Sequence, residues 1–404
     1  MPDKDAELRL ADLQATITEE YKRGNFTNAL ATSQDLLKQT QQHFGYNVDH
    51  PATASAMNNV GLMHKLLGNF TEARQHYVAA MRVYASVCGR DHASYAMTLH
   101  NLGNLNKSQV HFDASLKATD RLSLVESALE YLEEAYAVRI AELGVEHPHT
   151  IATRSAIGST LAAQVLYQHK LVENNTEGSE KIRKQYVALN PQQITEQQWR
   201  AAEEHLRESL QTAIDNPRGK QIKNNQHRKN SNKFRKNGGG VKHIKQLQNK
   251  IPGNPGSSFS ITTLSAASAA QNLAVFLKSL AMTMDEDSPG RKYNLYEAKD
   301  LYENVQQVRT QLLPSDHPDL YATKYSLAEL LEVLAAVPSS GEGTDKEQEE
   351  RQRHQESADA LRQEIIDTYD PPNKKLEEID SLVPNDESQR IEIVVEKTKG
   401  TQNH

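Results

Sequence analysis

The chain has little of what staples, anchors or catalyses. It carries one cysteine, Cys88, in 404 residues, so no internal disulfide can form, which fits a reducing compartment. No stretch approaches the roughly 18 consecutive apolar residues of a membrane-spanning helix. The opening MPDKDAELRL is too polar and acidic for a secretory or organellar leader. These absences predict a cytoplasmic protein without a membrane span, the nucleus being the other compartment left open. Aromatic residues make up only 6% of the chain and hydrophobic residues 37%, both low for one large globular core. At this length the alternatives are two or three compact domains or one extended array.

What is present decides between them. The stretch GNFTNAL from Gly24 returns as GNFTEAR from Gly68, 44 positions later. Each copy has a helix-like segment before it and another after it, ending at Phe44-Gly45 and Cys88-Gly89, and an Asp-His pair then follows. Fixed-period self-similarity is the signature of a repeat architecture. In the second copy Met57, Val60, Gly61 and His64 form one helical stripe, and Ala73, Tyr77, Ala80 and Met81 form another. Small residues at Gly61, Ala73 and Ala80 allow two antiparallel helices to approach closely, with Tyr77 filling the space between them. A single hairpin of this kind cannot bury its apolar face, so copies must stack.

The stripe recurs down the chain. Leu99, Leu102 and Gly103 match Met57, Val60 and Gly61 at an offset of 42, and Ala128, Leu132 and Ala135 match Ala73, Tyr77 and Ala80. A fourth unit gives Ile157-Gly158 with Ala202, Leu206 and Ser209. A fifth gives Leu273-Ala274 with Ala298, Tyr302 and Val305. The sixth opens at His317-Pro318, carries Leu327-Ala328 and closes over Ala358 to Tyr369, and a looser first unit covers Ala6 to Phe44. Asp49-His50-Pro51, Asp91-His92, Glu146-His147-Pro148 and Asp316-His317-Pro318 mark the entries to first helices. Proline suits the first helical position and a carboxylate suits the positive helix end. Because each histidine sits a full unit from the next, a helix-start role outweighs a metal-ligand role.

These residues resemble tetratricopeptide repeats, paired helices with a small-large-small stripe. The 42-residue period, the HP-x-x-x-A entry and Asn58-Asn59-Val60-Gly61 are similar to the kinesin light chain subtype. The resemblance is good over 44–148, recognisable at 1–43 and 149–214, and returns with weaker motifs from 260 to 337. It implies an all-α, right-handed α-solenoid of about six helix-turn-helix repeats whose concave groove binds peptide segments of partner proteins, without catalysis. No long heptad region precedes the repeats, so a stand-alone adaptor is expected rather than a motor subunit. The expected organisation is an N-terminal array at 1–214 (units one to four), a basic insertion at 215–259, two further repeats at 260–370 and a tail at 371–404.

By the same resemblance, rows on the first helices face the groove. Counting from Gly61, Gly103, Gly158 and Ala274, the residues four further on are Lys65, Lys107, Ala162 and Lys278, and those three earlier are Asn58, His100, Ser155 and Gln271. The expected peptide-groove residues are Asn58, Asn59, Lys65, His100, Asn101, Asn104, Lys107, Gln271 and Lys278. Side-chain amides can pair with an extended backbone and lysines suit carboxylates, so the expected ligand is an extended, acidic segment of a partner protein. The bland alternative is that these lysines simply face water.

The units differ in spacing. His50 and Ala73 are 23 apart, against 36, 55 and 41 for His92 to Ala128, His147 to Ala202 and His317 to Ala358. Ala274 to Ala298 is 24, against 12 from Gly61 to Ala73. These expansions are expected to be solvated loops inside the hairpin turns, including ENNTEGSEK from Glu173 and SSGEGTDKEQEE from Ser339. One insertion differs in kind. Pro217 to Lys250 holds eleven Lys or Arg and no Asp or Glu, so of a net charge of −7 the rest of the chain carries −18. A solvated linker leaning on the acidic body is one reading. Contact with RNA, nuclear import or another acidic surface through Arg228, Lys229, Lys233, Arg235 and Lys236 is the second, although Phe234 is the lone aromatic there for base stacking; docking on an anionic membrane is the third, with no apolar helical face beside the charges.

No enzyme signature accompanies the repeats: there is no HExxH, no cysteine pair for zinc, no Gly-Lys-Ser/Thr phosphate loop and no GxSxG. Cys88 takes a slot held by Phe44 and Leu143 in sister units and reads as a small core residue. Trp199 takes the slot of Phe70 and is expected to pack at a hairpin turn, the alternative being an exposed binding aromatic. No cofactor or metal is expected. Beyond Pro371-Pro372 the sequence loses its helical stripe, and Ile391 to Val395 suits a short strand that needs a partner.

Overall fold

A computed structural model describes residues 4–113, 115–173, 191–216, 261–315, 317–336 and 345–369. Every element among them is an α-helix: α1 Lys4–Lys22, α2 Phe26–Phe44, α3 Pro51–Leu66, α4 Phe70–Val87, α5 Ala93–Phe112, α6 Ala118–Leu143, α7 Pro148–Glu173, α8 Pro191–Asp215, α9 Leu264–Met282, α10 Pro289–Leu312, α11 Pro318–Ala336 and α12 Asp345–Tyr369. Consecutive helices pack as hairpins, and each second helix packs on the first helix of the next unit. First helices also touch their successors, α3 on α5, α5 on α7 and α7 on α9. This is a tetratricopeptide-like α-solenoid.

The repeated turn has one physical cause. Gly24 and Gly68 adopt φ of 74° and 79°, a left-handed conformation that glycine enters without a Cβ penalty. At the second turn Asn69 N–H donates to His64 O at 2.9 Å and Gly68 N–H to Lys65 O at 3.1 Å. At the first, Asn25 N–H donates to Glu20 O at 2.9 Å and Gly24 N–H to Tyr21 O at 3.1 Å. Both are Schellman closures, which satisfy the last carbonyls of one helix and turn the chain into the next.

The small-large-small stripe is the spine of the array. Tyr77, Leu132, Leu206 and Tyr302 are buried between Ala73 and Ala80, Ala128 and Ala135, Ala202 and Ser209, and Ala298 and Val305. A Cβ placed on Gly61 would lie 2.9 Å from the Tyr77 ring, one on Gly103 2.7 Å from Leu132, and one on Gly158 2.8 Å from Leu206. In unit six the large position is Arg362, four after buried Ala358. It pairs with Glu332 at 3.0 and 3.1 Å and stacks 4.5 Å over the Tyr325 ring. The last described helix thus presents charge where the preceding units present Leu or Tyr.

The histidine entries are helix N-caps. Nδ1 of His50, His92, His147 and His317 accepts the backbone N–H of Ala52, Ser94, His149 and Asp319 at 3.1–3.2 Å. The side chain two residues upstream thereby supplies one of the acceptors that a helix start lacks. In α9 Thr263 Oγ1 does the same for Ala266 N–H at 3.1 Å.

The extra residues correct the expectation of solvated loops. α4 begins three residues before Ala73, but α6 begins ten before Ala128, α8 eleven before Ala202, α10 nine before Ala298 and α12 thirteen before Ala358. Against the spacing of unit two, seven, eight, six and ten of the 13, 32, 12 and 18 added residues are therefore extra helix at the start of the second helix, and part of the segment from Ser339 already lies in α12. The α6 extension buries Leu122 and Val125. Its Arg121 guanidinium donates to the carbonyls of Val110, Leu116 and Asp113, tying the extension to the end of α5. Residues 174–190, the basic insertion at 217–250 and the strand expected at 391–395 lie outside the described residues.

Trp199 is also displaced from its expected place. With α8 extended, it lies within the helix rather than at a turn. Its ring is buried against Phe276 of α9, centroids 5.5 Å apart and edge to face. Cys88 caps α4, partly buried beside the Tyr84–Tyr95 cluster.

Candidate binding groove

The first helices carry the expected groove rows, and the structure gives those rows work between units. Asn58 Nδ2 on α3 donates to Thr98 Oγ1 on α5 at 3.0 Å. Lys107 Nζ on α5 donates to Ser159 Oγ on α7 at 2.7 Å. Lys278 Nζ on α9 lies 3.3 Å from Glu329 Oε2 on α11, one unit on and in the same register as the Lys107–Ser159 pair. Asn59 Nδ2 reaches back to Gln14 Oε1 on α1 at 3.0 Å. Lys65, Lys107 and Lys278 are each no more than 8% exposed, so their alkyl stems pack while their ammonium groups sit at the seam between first helices.

Gln271 departs furthest from the expectation of a groove-facing amide. It has no exposed surface. Its Oε1 accepts Thr323 Oγ1 at 3.2 Å and a close contact from Arg309. Arg309 also donates to Asp319 O at 3.0 Å and Thr323 Oγ1 at 2.7 Å. The corresponding positions two units earlier hold His100, Arg139 and Thr153. Arg139 donates to His149 O at 2.8 Å and to Thr153 Oγ1. Between units two and three Tyr84 takes the arginine slot, with Asn58 and Thr98 in the other two.

These arginines escaped sequence reading, since a basic residue in the last turn of a helix ordinarily faces water and complements the dipole. A signal was available. Arg139 and Arg309 each stand eight residues before a capping histidine, and Thr153 and Thr323 six after it.

Electrostatically the two sets differ. In the later one Gln271 is neutral, and nearby cations meet carboxylates, Lys278 with Glu329, Lys324 with Glu364 at 2.7 Å and Arg362 with Glu332. In the earlier one His100 replaces the glutamine. Its imidazole is held well below the usual histidine range, first by burial and then by Arg139, Lys65, Lys107 and His149, every one of them cationic or cationic when protonated. Burial lowers the Arg139 guanidinium to about 10. His100 Nε2 pairs with Asn104 at 3.0 Å, while its buried Nδ1 meets no acceptor. Asn101 is half-buried one residue on. Units two to four therefore bring Lys65, His100, Asn104, Lys107 and Arg139 to one electropositive seam. Arg228, Lys229, Lys233, Arg235 and Lys236 lie outside the described residues.

A tetratricopeptide repeat model matches residues 52–118, and a second matches 121–149, together spanning α3 to the entry of α7. These hairpins are tetratricopeptide repeats. Arrays of tetratricopeptide repeats are generally protein-interaction scaffolds. Comparison with curated protein sequences gives no match. Among solved structures the chain is similar to a Podosopora anserina protein described as a kinesin light chain with nearly identical TPR-like repeats. That match has 15% identity and a TM-score of 0.39, covering 80% of this chain and 100% of the other. A second is BtubC (BKLC) from P. vanneervenii, at 13% identity and a TM-score of 0.40, covering 88% of this chain and 95% of the other. Among the described residues no helix is long and apolar enough to cross a membrane.

Proposed function

We propose that the chain is a non-catalytic scaffold that holds an extended, acidic segment of a partner protein against its first-helix layer, with an anionic side chain of that segment beside His100. The observation that carries this reading is the charge around His100: a buried imidazole nitrogen without an acceptor, under the influence of Lys65, Lys107 and Arg139. A carboxylate entering the seam would accept from that nitrogen and lower the energy of three cations at once, and low local dielectric strengthens each term. In this reading the acidic end of the ligand lies on units two to four.

Selection of random peptides on the full chain tests the reading. Bound peptides enriched in Asp and Glu, with affinity falling at least tenfold in Lys65→Gln/Lys107→Gln at unchanged melting temperature, support it. Enrichment of uncharged peptides, or equal affinity in the variant, overturns it. The second reading, an RNA-associated or nuclear adaptor, rests on the eleven cations of 217–250. It predicts partners that are lost from the purified complex on nuclease treatment.

A further inference from the structure

Four of the six first helices begin on a histidine used in one way. His50, His92, His147 and His317 each accept a backbone N–H with Nδ1, which requires a lone pair on that nitrogen and places the ring proton on Nε2. An imidazolium has no lone pair at Nδ1, and its charge would sit at the positive end of a helix. We propose that these four caps make the array proton-sensitive: acidification withdraws the cap from four unit junctions together and loosens the stacking of units at their first helices. The device is distributed, because each junction supplies one cap and the same chemistry repeats.

The surroundings set the strength at each junction. His50 lies flat on Phe44 at 3.6 Å, with Asp49 next to it in the chain. His92 Nε2 is 4.0 Å from Glu142 Oε1. His147 faces Arg139 and His149, and burial followed by Arg139 lowers its proton affinity. At His317 the acidic neighbour is Asp319, whose N–H it accepts. The fifth unit is a built-in control, since α9 is capped by the hydroxyl of Thr263, which does not titrate in this range.

Asparagine caps helices as well as any residue and carries no titrating group, so the test is His50→Asn/His92→Asn/His147→Asn/His317→Asn in the full chain. Wild-type melting temperature should fall by about 5 °C or more from pH 7.5 to 5.5, and the quadruple variant should lose at least half of that fall. An equal fall in both proteins overturns the proposal. Should the variant not fold, nitrogen-15 spectra of histidine-labelled wild-type protein decide. At pH 7.5 the four rings must show an unprotonated Nδ1 and protonated Nε2, and the opposite tautomer at these positions overturns the assignment. Amide exchange at pH 5.5 should rise at the starts of α3, α5, α7 and α11 while that of α9 stays protected; uniform exchange across all five contradicts it.

Discussion

Gly103 and Leu132 meet where α5 crosses α6, so closely that a Cβ on the glycine would lie 2.7 Å from Leu132 Cγ and 3.2 Å from Ala128 O. The glycine is there because the crossing leaves no room, and the neighbour that would have to yield on one side is backbone. Gly61 with Tyr77 and Gly158 with Leu206 repeat the relation. Gly103→Ala should therefore destabilise the array by about 1–3 kcal/mol, overpacking outweighing the ~1 kcal/mol of helix propensity that alanine supplies. A urea midpoint that rises in Gly103→Ala would show that the crossing relaxes at no cost.

Arg139 ties the end of α6 to the start of α7 and charges the surroundings of His100. Arg139→Met should cost roughly 1–3 kcal/mol, since His149 O loses a buried donor. It should also raise the pH at which His100 titrates, because a cation that opposes its protonation is gone. Histidine titration by NMR reads the second effect separately from stability. An unmoved His100 in a folded variant would place Arg139 outside its field.

His205 is pushed down to about 4 by burial and then by the Arg154 cation. The unfolded chain takes up this proton more readily, so the stability gained is complete above the unfolded value of about 6.5 and is lost as pH falls from there toward 4. The effect amounts to about 3 kcal/mol over that window. His205→Gln should flatten the acid limb of stability between pH 6.5 and 4 without involving any helix cap. Unchanged acid sensitivity in this variant would contradict the burial argument.

Trp199 is the single tryptophan of the chain, and it lies at the junction of units four and five against Phe276. Trp199→Ala should cost about 3–5 kcal/mol, as expected for an aromatic truncated in a packed interior. In the wild-type protein the emission should be blue-shifted and should move to the red as α8 and α9 separate. Emission at the wavelength of free tryptophan in the native state would mean that this junction is open.

Much of the architecture was legible because the repeat writes each hairpin in the same alphabet. Tyr77, Leu132, Leu206 and Tyr302 stand out by helical spacing between small residues, and the histidine entries by their period. The insertions were harder to read. Leu122, Val125 and Leu129 continue the stripe of α6 upstream, but they sit among polar residues in a stretch longer than the repeat allows, and length alone suggested a loop. The groove rows were visible as rows. Which members face a ligand and which bridge neighbouring units depends on the stacking of units, as Gln271 shows by turning inward to Arg309. The Arg139 and Arg309 positions carry period information only once the capping histidines are used as the ruler.

The central claim is that an anionic group of a partner segment docks beside His100. The direct measurement is the NMR titration of His100 in the full chain, alone and saturated with an acidic peptide obtained by selection. A docked carboxylate must favour the imidazolium, so the account predicts that the His100 titration moves to higher pH on binding and returns when the peptide's acids are replaced by amides. A peptide that binds while the His100 titration stays where it was contradicts the account.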